Sequence, residues 1–195
     1  LISKGILDAE STARENDRFF EHYKAGTLDI QAFLAFQLSP LGRFKRAELD
    51  ELHREYMRQH IVPLITDKAR ALVKQHQDAG DLVLIITATN RFVTGPIARE
   101  FGIEHLIATE PEIVDGEYTG KPTGIPCFQA GKITRLQHWL QERGEKLTDF
   151  AASWFYSDSR NDLPLLQQVT HPVAVDPDDT LRAHAQQHGW PVISL

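Results

Sequence analysis

The stretch Asp81-Leu82-Val83-Leu84-Ile85-Ile86-Thr87-Ala88-Thr89-Asn90 decides the fold. Leu82 to Ile86 is an unbroken apolar run of the kind found in strands covered on both faces, which marks the start of parallel α/β structure. In open sheets of that type ligands bind beyond the carboxyl ends of the strands, so Thr87, Ala88, Thr89 and Asn90 are the first residues to hold against a chemistry. Their hydroxyl and amide groups stand just ahead of a helical pattern with Val93, Ile97 and Phe101 on one face, and the free N–H groups of a helix start favour an anion such as phosphate. Simple capping of that helix by Thr or Asn is the competing use of the same residues.

Downstream, strands alternate with helices. Ile107 to Val114, an Asp115-Gly116 turn and Tyr118 form an expected hairpin, and Lys132 to Leu140 a helix. Phe150 to Tyr156 is an expected buried strand, followed by a helix start at Asn161-Asp162, a strand at Val173-Ala174-Val175, a helix capped within Asp176 to Asp179, and an edge strand at Val192-Ile193. Upstream of residue 80 no strand signal occurs. Phe19, Phe20 and Tyr23 share one helical stripe that a loop at Ala25-Gly26 ends, and Ile30, Phe33, Leu34 and Leu38 share another that Ser39-Pro40 breaks. Leu49, Leu52 and Tyr56 mark a third helix, and Leu72, Val73 and His76 a fourth, capped by Thr66 and stopped by Gly80. The expected architecture is α/β: a doubly wound, mostly parallel Rossmann-like sheet over residues 73–195 with a helical cap over residues 1–72.

Composition narrows the function. The 195 residues are 42% hydrophobic and 25% charged, and 21 Lys+Arg against 27 Asp+Glu give a net charge of −6, which disfavours nucleic acid or an anionic membrane as partner. The longest apolar run falls far short of the roughly 20 residues a bilayer span needs. Cys127 is the single cysteine, so an internal disulfide and a cysteine-based zinc site are excluded, and a cytoplasmic location fits. No GxGxxG or GxSxG is present, and Gly131-Lys132 fails as a P-loop because Pro126 and Ile133 stand where Gly and Ser/Thr are needed. His184 and His188, four residues apart, lack an evident third metal ligand.

The second expected strand empties into Ser157-Asp158-Ser159-Arg160-Asn161-Asp162, with one carboxylate at the tip and another at the opening of a helix. Mg²⁺ binds carboxylate oxygen while keeping several waters, so one or two such groups plus a substrate phosphate make a sensible site; helix capping by Asp or Asn is the alternative. Lys132, placed after Gly131 at a helix start, is a cation for the same phosphate, or only a solvated side chain.

Taken in order, TATN at 87–90, DGEYTG at 115–120, GK at 131–132 and YSDSRNDLPLL at 156–166 resemble the haloacid-dehalogenase-like (HAD) superfamily, in particular its phosphoserine-phosphatase-like subfamily IB. The resemblance extends from Gly26 in the helical cap to the final helix. It implies hydrolysis of a small phosphomonoester in which an Asp attacks phosphorus, an aspartyl-phosphate forms, and Mg²⁺ and fixed donors stabilise the transferring group. Matched position by position, Thr87 and the backbone N–H of Ala88 bind phosphate with Thr89 and Asn90 beside them. Lys132 neutralises nucleophile and phosphate, Asp158 binds the metal, and Asn161 and Asp162 orient phosphate and support the metal shell.

Two departures carry further expectations. The family's DxDxT motif, which supplies the nucleophile and forms the strand between those ending at Thr87 and Asp158, occurs nowhere in the sequence. Two buried strands without their shared neighbour would leave backbone groups unpaired; with the chain starting at Leu1 rather than Met, this predicts roughly 25 to 40 preceding residues. It also predicts that the strands ending at Thr87 and Asp158 lie about 9 to 10 Å apart, two inter-strand spacings, and do not hydrogen-bond to each other. The second departure is Gln37, which stands where phosphoserine phosphatases carry an Arg for the substrate carboxylate, so a substrate with an apolar or cationic remainder, such as a phosphorylated amino alcohol, is expected instead. A non-catalytic phosphate-binding or regulatory protein, and a phosphotransferase that passes phosphate to an alcohol, are the alternatives.

Overall fold

A computed structural model describes residues 5–195; Leu1 and the three residues after it, on which the expectation of a preceding segment partly rests, lie outside the described residues. The helical part consists of α1 (Ala9–Ala25), α2 (Ile30–Leu38), α3 (Arg46–Tyr56) and α4 (Asp67–Asp78). Their starts follow the sequence: Asp8, Asp29 and Thr66 each accept hydrogen bonds from first-turn N–H groups, which otherwise have no partner. Gly26 closes α1 in the left-handed region at φ 74°, where a side chain would be strained. Pro40 does not end the second helix outright; the chain tightens into a 3₁₀ turn over Ser39–Arg43, because proline fits the first turn of a helix.

Six strands follow: β1 (Leu84–Asn90), β2 (His105–Val114), β3 (Glu117–Thr123), β4 (Trp154–Ser157), β5 (His171–Val175) and β6 (Val192–Ile193). They alternate with α5 (Arg91–Glu100), α6 (Ala130–Glu142), α7 (Leu163–Leu166) and α8 (Asp179–His188), apart from the β2–β3 hairpin that turns at Asp115-Gly116 as expected. β1 pairs parallel with β2, and β4, β5 and β6 are mutually parallel in a second sheet. Among the described residues β1 and β4 make no ladder with each other. Among the described residues β1 has a ladder partner on one side, β2, and its apolar residues are half-buried. The two sheets share a core in which Ile107, Leu136, Leu140 and Leu165 pack with Leu84, Ile86 and Phe155. Among the described residues no helix is long and apolar enough to cross a membrane.

Two expected boundaries move. β1 runs on through residues 87–90, but its register with β2 jumps from Thr87–Ala108 to Asn90–Thr109, so Ala88 and Thr89 bulge out of the ladder. The expected strand from Phe150 begins only at Trp154, because Leu147–Asp149 forms a 3₁₀ turn whose Asp149 carboxylate accepts from the Lys146 N–H.

The helical part is fastened to the hairpin by Leu38, Leu41 and Leu49 packed on Tyr118 and Phe92. Beside this cluster His53 of α3 lies edge-on to Phe92, with ring centroids 4.9 Å apart. Burial pushes its pKa below the ordinary value; the Val93 backbone opposes this, the Arg99 charge adds to it and the Asp50 charge opposes it. The unfolded chain therefore takes up this proton first as pH falls, and His53 withdraws stability below about pH 6.5. Urea melts at about pH 7.5 and about pH 5.5 are expected to show a smaller acid loss in His53→Gln than in the parent protein; equal losses would remove His53 as the source.

Candidate active site

The tips of β1 and β4 and the start of α6 meet at one cavity of about 630 Å³. Thr87, Ala88 and Thr89 line it from β1, Lys132 from α6, and Asp158, Asn161 and Asp162 from the turn after β4. Asn90 is placed elsewhere: its Oδ1 accepts from the Val93 N–H at 3.1 Å, capping α5, and it lines a second, larger cavity. The bulge at residues 88 and 89 is held by Thr109, whose hydroxyl donates to the Ala88 carbonyl at 2.9 Å, while the Thr89 N–H donates to Thr87 Oγ1 at 3.1 Å.

Lys132 is buried, and its Nζ lies 2.6 Å from Asp162 Oδ1. The other oxygen of Asp162 accepts from Ser157 Oγ at 2.7 Å. Both carboxylate oxygens are thus committed to the protein, and the pair is neutralised in a place where an isolated charge would be costly. Lys132 keeps further N–H donors that meet no protein acceptor among the described residues. Gly131 precedes it because a Cβ there would overlap the Pro126 carbonyl oxygen. Asp158 is the opposite case: exposed, at the cavity wall, with no hydrogen bond or ion pair to its carboxylate among the described residues.

Asn161 is 8% exposed, and its orientation is fixed by Gln129, whose Nε2 donates to Asn161 Oδ1 at 2.9 Å. That leaves Asn161 Nδ2 buried without any acceptor among the described residues. Such a donor costs on the order of 1 to 3 kcal/mol unless a ligand supplies the missing oxygen. Gln129 achieves this from a backbone at φ 48°, ψ −123°, a region that non-glycine residues avoid and that is found at ligand clamps. Sequence pattern gave no sign of Gln129, nor of Ser157 as the support of Asp162. Ser159 is likewise placed by the fold, its hydroxyl meeting that of Tyr23 from α1.

From the helical part Phe19, Phe20, Tyr23, Phe33 and Gln37 also line the cavity. Gln37, Asn16 and Thr89 also border the second cavity, of about 1000 Å³, so the two adjoin.

A parallel α/β core packed against helices thus brings donors, a cation and an open carboxylate together at neighbouring strand tips. The chain belongs to the haloacid dehalogenase-like hydrolase family, whose model matches residues 1–167. It is 49% identical over 196 residues to a histidinol-phosphatase of Neisseria meningitidis serogroup C, covering 100% of this chain and 88% of that protein. It is 37% identical over 146 residues to a phosphoserine phosphatase of Mycobacterium tuberculosis, of which it spans 46%. Among solved structures, a protein of unknown function from Bordetella pertussis Tohama I superposes with a TM-score of 0.89 at 48% identity, covering 95% of this chain and 83% of that one. A phosphoserine phosphatase captured as a phospho-aspartyl intermediate analogue shares the fold at a TM-score of 0.65 and 16% identity, with 95% and 83% coverage. The chain is accordingly a phosphatase of the HAD type.

Proposed function

We propose that the protein hydrolyses a small phosphorylated amino alcohol, with the phosphate seated on Thr87, the Ala88 N–H, Asn161 and Lys132. The observation that carries this is Asn161 Nδ2, a buried donor held in place by Gln129 and lacking an acceptor, beside a buried lysine with donors to spare. A tetrahedral oxyanion satisfies both at once, and a neutral ligand satisfies only the amide. In this reading residues up to 72 act as a lid that excludes water, residues from 73 onward carry the site, and the protein works in the cytoplasm.

The donor set also suits Mg²⁺. No three His, Cys, Asp or Glu side chains converge among the described residues, but Mg²⁺ needs only one or two carboxylates alongside water and phosphate oxygen. Asp158, with its free carboxylate, would hold it; Asp162, with both oxygens engaged, would support the site through Lys132 and Ser157. The cation when bound supplies Lewis-acid charge to the phosphoryl oxygens. Lys132 adds a fixed positive charge in a water-poor setting, and the Thr87 hydroxyl and Ala88 N–H orient the group for in-line attack. The attacking carboxylate, and with it an aspartyl-phosphate intermediate, is assigned to a residue outside these 195, which contain no DxDxT.

The substrate follows from three features: the adjoining larger cavity with its aromatic wall, Gln37 in place of a carboxylate-binding Arg, and the 49% identical histidinol-phosphatase. Histidinol phosphate is a phosphorylated amino alcohol without a carboxylate. The full-length protein with Mg²⁺ is expected to favour histidinol phosphate over phosphoserine by at least about tenfold in kcat/KM, and parity or preference for phosphoserine would overturn this substrate class.

A further inference from the structure

Among the described residues the helical part meets the rest of the molecule at several places, including the Arg70–Glu100 ion pair and the His53–Phe92 ring contact, and two of the others contrast in chemistry. At the hairpin a close apolar cluster, Leu38, Leu41 and Leu49 on Tyr118, is backed by polar contacts in which the Arg46 N–H donates to Glu117 Oε2 at 2.7 Å and the Arg46 guanidinium lies over the Tyr118 ring, and a Cβ on Gly42 would come 2.6 Å from the Thr119 carbonyl oxygen. Packing of this kind holds together as a unit. At the other place, where the end of α1 reaches the turn after β4, the contact is polar. Arg160 Nη2 donates to the Tyr23 carbonyl at 3.0 Å and to the Lys24 carbonyl, and the Tyr23 and Ser159 hydroxyls hydrogen-bond. Gly26 leaves the space, since a Cβ there would lie 3.7 Å from Arg160 Nη2. Arg160 has no carboxylate partner among the described residues; its charge is set against the carbonyl end of α1, where the helix dipole is negative.

Arg160 and Ser159 stand between Asp158 and Asn161, and both of those neighbours line the cavity. The turn is anchored from behind by Asp178, which accepts from the Arg160 N–H at 2.7 Å and whose own N–H donates to the Asp158 carbonyl at 2.8 Å. One short turn therefore lines the cavity with Asp158, Ser159, Asn161 and Asp162 and reaches the end of α1 with Arg160 and the Ser159 hydroxyl.

We infer that Arg160 is a positioning residue that latches the lid to the ligand-binding turn, so that occupancy of the phosphate site favours the closed lid and closure favours occupancy. This rests on the phosphatase reading. The hinge is the apolar contact at the hairpin, and the latch is the polar one. The latch consists of a few exposed or half-buried hydrogen bonds, weak enough to open each cycle. A ligand that fixes Asp158 and Asn161 also fixes Ser159 and Arg160, so the latch forms against an already ordered turn. The coupling is reciprocal by thermodynamic necessity.

Hydrogen exchange on the full-length protein, with Mg²⁺ and inorganic phosphate as the probe, tests this. In the parent protein the probe is expected to slow amide exchange at residues 158–162 and also at residues 23–27, by about fivefold or more. In Arg160→Ala the slowing at 158–162 is expected to persist and that at 23–27 to vanish, with Arg160→Lys restoring part of it and Tyr23→Phe weakening it. Arg160→Ala should also raise KM for p-nitrophenyl phosphate by about tenfold while kcat changes less, the mark of a group that acts on closing rather than on chemistry. Slowing confined to 158–162 in the parent, or retained at 23–27 in Arg160→Ala, overturns the latch and leaves the phosphate site standing. Slowing at neither segment in the parent overturns the phosphate reading and the latch with it.

Discussion

Lys132→Met is expected to lower kcat/KM by about a thousandfold and, in the same protein, to cost roughly 3 to 5 kcal/mol of stability. The two losses have one origin. The Lys132 ammonium sits 2.6 Å from Asp162 Oδ1, with both side chains 9% exposed, so removing it strands a buried carboxylate that Ser157 satisfies on one oxygen only. In the proposed function it also removes the fixed cation set against the phosphoryl oxygens. Urea unfolding and steady-state kinetics on the same preparation measure both quantities. A variant that keeps its stability and loses activity would mean that the pair is open to solvent, and one that keeps its activity would remove Lys132 from the phosphate site.

Asp158→Asn should separate the two effects. Its carboxylate is exposed and bonded to no group among the described residues, so the amide is expected to change stability by no more than about 0.5 kcal/mol, within the range of ordinary surface substitutions. Turnover is nevertheless expected to fall by about a thousandfold, because the proposed cation loses its carboxylate ligand. Titrating Mg²⁺ against activity in parent and variant distinguishes loss of the site from loss of chemistry: the variant should need far more Mg²⁺ for whatever activity remains. An unchanged Mg²⁺ dependence would show that the cation, if required, is held elsewhere. Read together, the two variants contrast a group that supports both fold and chemistry with one that the fold leaves free.

The sequence was informative where chemistry is local. The apolar run at 82–86 and its polar exit marked a strand tip, and the helix periodicities before residue 80 gave four helices, the fourth capped by Thr66 as expected. Asn90 shows the limit: the same amide serves an anion or a helix cap, and only its 3.1 Å contact with the Val93 N–H places it as a cap. Thr87 to Asn90 read as the exit of the strand, whereas they continue β1 with a bulge at Ala88 and Thr89, because β2 goes on pairing past them. Gln129 escaped notice altogether, since positive φ is anticipated at Gly, Asn or Asp and not at Gln.

By itself the sequence determined the class of the protein: helices before residue 80, mostly parallel strands after it, and polar and charged side chains at the strand tips, all of which depend on residue type and short-range spacing. Tertiary structure alone decided which of those groups are occupied and which are free. Asp162 is committed to Lys132 and Ser157 while Asp158 is open; Asn161 is pinned by Gln129 with its amide donor unmet; and Arg160 reaches across to α1 over 137 residues of chain. The reason is physical. Periodicity fixes how a segment presents its own side chains, but whether a donor finds its acceptor is set by packing between segments far apart in sequence, where a displacement of one ångström makes or breaks the bond.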